Sequence, residues 1–70
     1  MSQRDLAMGV AEEVFKDGLK NAFQILFINL TTAHGDEEIQ AAMDKAKRGI
    51  EISQKTYELS KQLAQGLSQT

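Results

Sequence analysis

The chain has 70 residues, contains neither cysteine nor proline, and carries a formal net charge of −2 at pH 7. The length limits it to one domain, and the lack of cysteine excludes disulfide bonds and thiolate metal sites. The slightly acidic balance argues against non-specific binding of nucleic acids, which requires a surplus of lysine and arginine.

A first helix is predicted over residues 3–32, with Ser2 as its N-cap. Small and apolar residues recur on one side of this segment and charged residues on the other, which is typical of a helix with one buried stripe. The buried side consists of Ala11, Phe15, Gly18, Ala22, Ile25, Leu26 and Asn29. Within it, the Asp17-Gly18 pair allows two interpretations. The helix kinks or breaks there, because Asp-Gly often marks a turn, or it continues and Gly18 is small because another helix crosses it.

The last turns of the first helix are apolar on almost every side. Phe23, Phe27 and Leu30 lie off the main stripe, and Phe27 is nearly opposite to it. A helix that is apolar all round is buried all round, which a single partner helix cannot achieve. We therefore expect this surface to contact a further chain. Asn29, in the middle of the stripe, either fixes the register in a buried position or reaches the turn and water.

The connection between the helices is predicted at residues 33–36. We expect Gly35 to be the C′ residue that ends the first helix and Asp36 to be the N-cap of the second. So short a turn makes the helices antiparallel. His34 and the acidic residues after it are of metal-binding types, but their spacing does not match the Glu-x-x-His pairs of metal sites in helical bundles. We expect no metal, no cofactor, no catalytic residue and no enzymatic activity.

The second helix, predicted over residues 37–67, carries a row of small residues at heptad spacing. Ala46, Ser53 and Ser60 are seven residues apart. Such a row lets a neighbouring helix approach closely while larger side chains wrap around its sides. The large residues that flank the row are Ile39, Met43, Ile50 and Tyr57 on one side, and Ile52, Leu59 and Leu63 on the other.

The predicted fold is all-α. It is a single helical-hairpin domain over residues 1–70 with two long antiparallel helices, and a kink at Gly18 is the open alternative. The apolar surface exceeds what one seam can cover, so we expect two hairpins to associate into a four-helix bundle. The residues predicted at the interfaces are Phe23, Phe27, Leu30, Ala46, Ile50, Ser53, Tyr57, Leu59 and Leu63.

The expected function is protein–protein interaction by a small cytoplasmic oligomer, with a homodimer favoured, acting as an adaptor, a regulator or a chaperone-like subunit. One alternative is a structural subunit of a larger assembly. Another is an RNA-binding hairpin dimer that uses Lys45, Lys47, Arg48 and Lys55, but acidic residues lie among these and no aromatic stacking surface accompanies them. A helix that lies on a membrane surface around Phe27 is disfavoured by nearby acidic residues.

Overall fold

Two helices make up nearly all of the structure. The computed structural model describes residues 2–67 and contains α1 at Gln3–Thr31 and α2 at Asp36–Gln65. The helices pack against each other as a hairpin, and no strand occurs within the described residues. The all-helical hairpin expected from the sequence is thereby confirmed, and each helix begins and ends within two residues of its predicted bounds.

The hairpin is long and flat. Its Cα atoms extend over 55 × 15 × 7 Å, and their radius of gyration is 16.1 Å. A compact domain of this length has a radius of gyration of about 11 Å. A layer one helix thick has two broad faces and no interior. Side chains that leave the contact between the helices therefore lie on one face or the other.

The first helix begins at the predicted cap and is continuous. The hydroxyl oxygen of Ser2 accepts a hydrogen bond of 3.2 Å from the backbone N–H of Asp5, which satisfies one of the free donors of the first turn. The helix then runs without interruption through Gly18. Of the two interpretations of the Asp17-Gly18 pair, the continuous helix is the one that the structure contains.

The end of α1 differs from the prediction. Two threonine hydroxyls donate to the last carbonyls of the helix: Thr31 to the carbonyl of Ile28 at 2.6 Å, and Thr32 to that of Asn29 at 3.3 Å. Thr32 is the C-cap and has right-handed backbone angles. The prediction that Gly35 ends this helix as a left-handed C′ residue is therefore wrong, because side chains satisfy carbonyls that a glycine motif would otherwise serve.

Gly35 instead begins the second helix. Its carbonyl accepts the first intrahelical hydrogen bond, of 3.1 Å from the N–H of Ile39, which makes Gly35 the N-cap. The predicted N-cap, Asp36, is the first helical residue, where its charge still favours the positive end of the helix. The Glu38 carboxylate accepts a hydrogen bond from the N–H of His34 and secures the turn.

The contact between the helices is made by very small residues. The buried apolar residues are Ala11, Ala22, Ala42, Ala46 and Ala64, each between 1% and 6% exposed. Glycines bring the backbones close together along the same seam. A Cβ atom placed on Gly18 would lie 3.0 Å from the Cβ of Ser53, and one on Gly49 would lie 3.5 Å from the Cβ of Ala22. Ser53 and Ser60 are half-buried along the seam.

Larger groups close the seam toward its open end, away from the turn. The rings of Phe15 and Tyr57 stack across the seam, with their centroids 4.8 Å apart and their planes inclined to each other by 16°. The ammonium group of Lys61 lies 4.6 Å from the centre of the Tyr57 ring, within the range of a cation–π contact. Beyond them, the Arg4 guanidinium donates a 2.8 Å hydrogen bond to the carbonyl of Gln65 and joins the start of α1 to the end of α2.

Gly35→Ala is expected to lower the free energy of unfolding by about 1–3 kcal/mol, because its backbone region is essentially restricted to glycine. The φ and ψ angles of Gly35 are 96° and 174°. Gly9→Ala is the matched control, since neither glycine has an atom within 4 Å of the added Cβ but Gly9 is helical. The free energy of unfolding of that control should rise by roughly 0.5–1 kcal/mol, because alanine favours the helix more than glycine does. Urea denaturation followed by circular dichroism measures both, and equal stabilities would contradict the Gly35 conformation.

Ser53→Leu is expected to destabilise the hairpin by about 1–3 kcal/mol, because the larger side chain overpacks the seam where Ser53 meets Gly18. The control is Gln54→Leu, the same new side chain at the adjacent exposed position. Its effect should stay within about 0.5 kcal/mol. Thermal and urea denaturation at a fixed protein concentration give both values. If the two variants prove equally stable, residue 53 does not face α1.

Candidate protein-interaction surface

Most of the large apolar side chains lie outside the seam, although Phe15 and Tyr57 stack across it. Among the described residues, the buried apolar residues are all alanines, while thirteen large apolar side chains expose about a third or more of their surface. Exposure on this scale is unusual for a monomer, in which large apolar residues are normally the buried ones. The exposed residues are Leu6, Val10, Val14, Phe23, Phe27, Ile28, Leu30, Ile39, Met43, Ile52, Leu59, Leu63 and Leu67.

The accessible surface of the hairpin is correspondingly large, at 5463 Å². A compact monomer of the same mass exposes about 4,400 Å². The excess of roughly 1,000 Å² is similar to the area of about 800 Å² that each partner buries in a standard protein–protein interface. The hairpin therefore has enough spare surface for one such interface.

A long depression lies along one broad face, which we call the groove face. It has a volume of about 670 Å³, a floor that includes Gly18, Ala22 and Gly49, and walls formed by Ile25 and Ile52. Polar residues at its edges are Asn21, Asp44, Lys45 and Arg48, and Ala46 and Ser53 complete the lining. A floor of small residues between branched apolar walls has the shape of a site for a protruding apolar side chain.

The apolar part of the groove face continues toward the open end of the hairpin. A smaller cavity of about 190 Å³ lies there, with Val14 and Ile52 among its lining residues. Val10 precedes Val14 by one helical turn, and Leu59 and Leu63 follow Ile52 by two and three turns, so all lie on the same side. Leu63 is 74% exposed.

The opposite broad face, the back face, is apolar in the half nearer the turn. A depression of about 300 Å³ is lined there by Phe23, Leu26, Met43 and Ile50. Its polar edge consists of Lys47 and Glu51, and Ala46 lies at its floor. Both faces thus carry apolar surface near the middle and the turn half of the hairpin, and the groove face carries more toward the open end.

A third apolar surface, the outer patch, lies on the side of α1 away from α2. Phe23, Phe27 and Ile28 line a shallow depression of about 630 Å³ together with Lys20 and Gln24. Phe27 is 70% exposed. The end of α1 is therefore apolar on every side, as its sequence indicates, but within a single hairpin only one side is covered.

The predicted interface residues fall into two groups by position. Ala46 is buried and Ile50, Ser53 and Tyr57 are half-buried near the seam of the hairpin itself. The other five, Phe23, Phe27, Leu30, Leu59 and Leu63, are exposed, and all of them except Leu30 belong to the surfaces described above. Sequence reasoning missed Val10 and Val14, which neighbour the groove. Their spacing of one turn beside the small-residue stripe was the available signal.

The basic residues of α2 do not form one surface. Lys45 and Arg48 border the groove face, whereas Lys47 borders the back face beside Glu51. All three side chains are exposed, and so is Lys55. A nucleic acid that lay along one side of the helix would therefore reach only part of the predicted basic set.

The turn contains no recognisable chemical site. His34 is exposed, and among the described residues no group of three or more metal-ligand side chains is close enough to hold an ion. Asn29 is half-buried and lines a cavity of about 250 Å³ beside Thr32, Ala33 and Glu38. In the single hairpin Asn29 lies near the turn, and a role of Asn29 in the register of an oligomer stays a prediction.

No helix in the described part of the chain combines the length and apolar character needed to cross a membrane. Comparison with protein-family models, with curated proteins and with solved structures finds no match to this chain. The proposed function therefore rests on the exposed apolar and charged surfaces of the hairpin.

Proposed function

We propose that this protein acts through protein–protein interaction and that its hairpin pairs with a second copy to form a four-helix bundle. The observation that carries the proposal is the contrast between a seam of alanines and thirteen exposed large apolar side chains. In a four-helix bundle, a second hairpin covers one broad face of the first along its length. The seam between the two hairpins then supplies the core of large side chains that each hairpin lacks.

The free energy available from covering the exposed apolar side chains is comparable to the net stability of a small domain. Each large apolar side chain that stays exposed forgoes about 1.5–3 kcal/mol of burial free energy. The net stability of an entire small domain is only about 5–15 kcal/mol. A chain of 70 residues has no disulfide bond to stabilise it. Covering several such side chains by association would therefore add substantially to its free energy of unfolding.

The apolar surfaces lie on different sides, and this division supports two kinds of contact. We propose that the groove face, with Leu59 and Leu63, contacts the second copy. Phe23, Phe27 and Leu30 would then contact a further chain, either another copy or a different protein. Such a division suits a small cytoplasmic adaptor, regulator or chaperone-like subunit, because one surface assembles the oligomer and the other remains free for a partner.

A structural subunit of a larger assembly is the second candidate. It is favoured by one observation: the groove face and the back face are both apolar and lie on opposite sides of a thin layer. Copies that use both faces would add without limit, whereas copies that use one face would stop at a pair. An RNA-binding hairpin dimer has no comparable support, because the basic residues of α2 are divided between the faces. Salt-dependent binding of RNA to the protein would support the RNA-binding alternative.

Analytical ultracentrifugation over a wide concentration range tests the proposal. We expect the wild-type protein to form a dimer as its concentration rises. Leu63→Asp should weaken that dimer by about tenfold or more, because it removes apolar burial and adds a charge at the contact. Gln62→Asp, at the adjacent exposed position, is the control and should associate as the wild type does. A wild-type chain that stays a folded monomer at every concentration contradicts the proposal.

Phe27→Asp tests the division between the two contacts. It should leave the dimer intact while removing any larger species or partner complex, because Phe27 lies on the outer side of α1. Gln24→Asp, on the edge of the same patch, is its control. If Phe27→Asp weakens the dimer as much as Leu63→Asp does, the outer patch belongs to the dimer contact and the division is wrong.

A further inference from the structure

We infer that the two hairpins of the proposed bundle meet groove face to groove face with their turns at the same end, so that α1 of each copy packs on α2 of the other. This inference rests on the proposed self-association and specifies its geometry. A face-to-face pair has two symmetric arrangements: turns at the same end, or turns at opposite ends. In the second arrangement, α1 packs on α1 and α2 packs on α2. Three observations favour the first.

The first observation is the uneven distribution of apolar surface. On the groove face, the half nearer the open end carries the exposed side chains of Val10, Val14, Leu59 and Leu63. The half nearer the turn has charged groups at its edges, including Lys45 and Arg48. With the turns at the same end, the apolar half of one copy covers the apolar half of the other. With the turns at opposite ends, Leu59 and Leu63 would lie over the half whose edge carries Lys45 and Arg48.

A contact limited to overlapping open halves would avoid that mismatch but would be too small. One broad face of the hairpin measures 55 by 15 Å between Cα atoms. Its full footprint is therefore close to the area of about 800 Å² that each partner buries in a standard interface, and half of it is not. A full-length overlap therefore buries more area than one limited to the open halves, and it places like halves together only with the turns at the same end.

The second observation is the charge along the two edges of the groove face. On α1, Asp17 lies one turn before the groove residue Asn21, and Glu13 lies one turn earlier. On α2, Lys55 lies two turns after the groove residue Arg48 on the same edge. The α1 edge is thus acidic toward the open end, although Lys20 follows Glu13 by seven residues, and the α2 edge is mainly basic, although Asp44 lies one turn before Arg48.

These edges meet differently in the two arrangements. With the turns at the same end, Asp17 on the edge of α1 lies about level with Lys55 on α2 of the other copy, twice by symmetry. With the turns at opposite ends, acidic edges meet each other and basic edges meet each other. Charges at the rim of an interface select orientation and register more than they add affinity, and orientation is the property in question.

The third observation is the fit between apolar walls and the small-residue floor. Gly18 lies level with Ser53 across the seam, and Ala22 lies level with Gly49. Ile52 is therefore level with the part of α1 between Gly18 and Ala22. When the turns are at the same end, levels are preserved between copies, so Ile52 of one copy faces the part of α1 in the other that contains Gly18, Asn21 and Ala22. Large side chains then meet small ones across the contact.

Spin labels at the two ends of the hairpin test the arrangement. Because the chain has no cysteine, His34→Cys labels the turn uniquely and Gln3→Cys labels the open end, both at exposed positions. With the turns at the same end, both pairs of labels are attached to backbones about 10–20 Å apart, from the interaxial distances of packed helices. With the turns at opposite ends, the backbones are roughly 45 Å apart, the length of one helix.

Dipolar electron paramagnetic resonance on the labelled dimers gives these distances, after sedimentation has established that each labelled protein is dimeric. Short distances at both positions are expected. A long distance at either position overturns the inferred arrangement while the proposed dimer stands. A labelled protein that sediments only as a monomer contradicts the proposed self-association itself, so the two failures can be told apart.

Charge reversal gives an independent readout. Asp17→Lys and Lys55→Asp should each weaken the dimer, by about two- to fivefold, since each reverses one charge of a rim pair in both contacts. The double variant should return to wild-type affinity, because the pair is restored between copies. Single variants that lack an effect, or a double variant that fails to recover, would contradict the packing of α1 on α2.

Discussion

The close approach of the two helices determines the rest of this structure. Gly18 leaves room for Ser53, and alanines fill the seam on either side of this contact. At this contact the close backbones leave no volume between them for a leucine or a phenylalanine, and the Phe15–Tyr57 stack lies nearer the open end. The large side chains are therefore displaced to the two broad faces and to the outer side of α1. One feature thus produces both the tight hairpin and its exposed apolar surface.

This arrangement leaves the single hairpin with little to stabilise it. A buried methyl or methylene group contributes about 0.8 kcal/mol, whereas ordering the backbone of one residue costs about 1–2 kcal/mol. A seam of five buried alanines cannot offset that cost over two helices of 29 and 30 residues. In the proposed bundle, the apolar side chains that are buried between the two chains supply the missing stabilising free energy. Folding and association then form one linked equilibrium, and stability depends on protein concentration.

The architecture could be predicted from sequence because it depends on periodicity, whereas the turn depends on competition between local hydrogen bonds. The heptad row of Ala46, Ser53 and Ser60 identifies the seam without any knowledge of distances. At the turn, several residues can serve the same backbone groups. Thr31 and Thr32 take the carbonyls at the end of α1, and this leaves Gly35 free to start α2. Residue preferences alone do not decide such a competition.

The surfaces were less predictable for a different reason. Periodicity assigns a residue to one side of its own helix, but a face consists of one side from each of two helices. Which sides join depends on the rotation of the helices about their axes, and the contact between Gly18 and Ser53 fixes that rotation. Only then do Val14 and Ile52 line a common cavity. By the same rotation Lys45 and Lys47, two residues apart, border opposite faces, so a charge pattern read along one helix does not describe a surface of the pair.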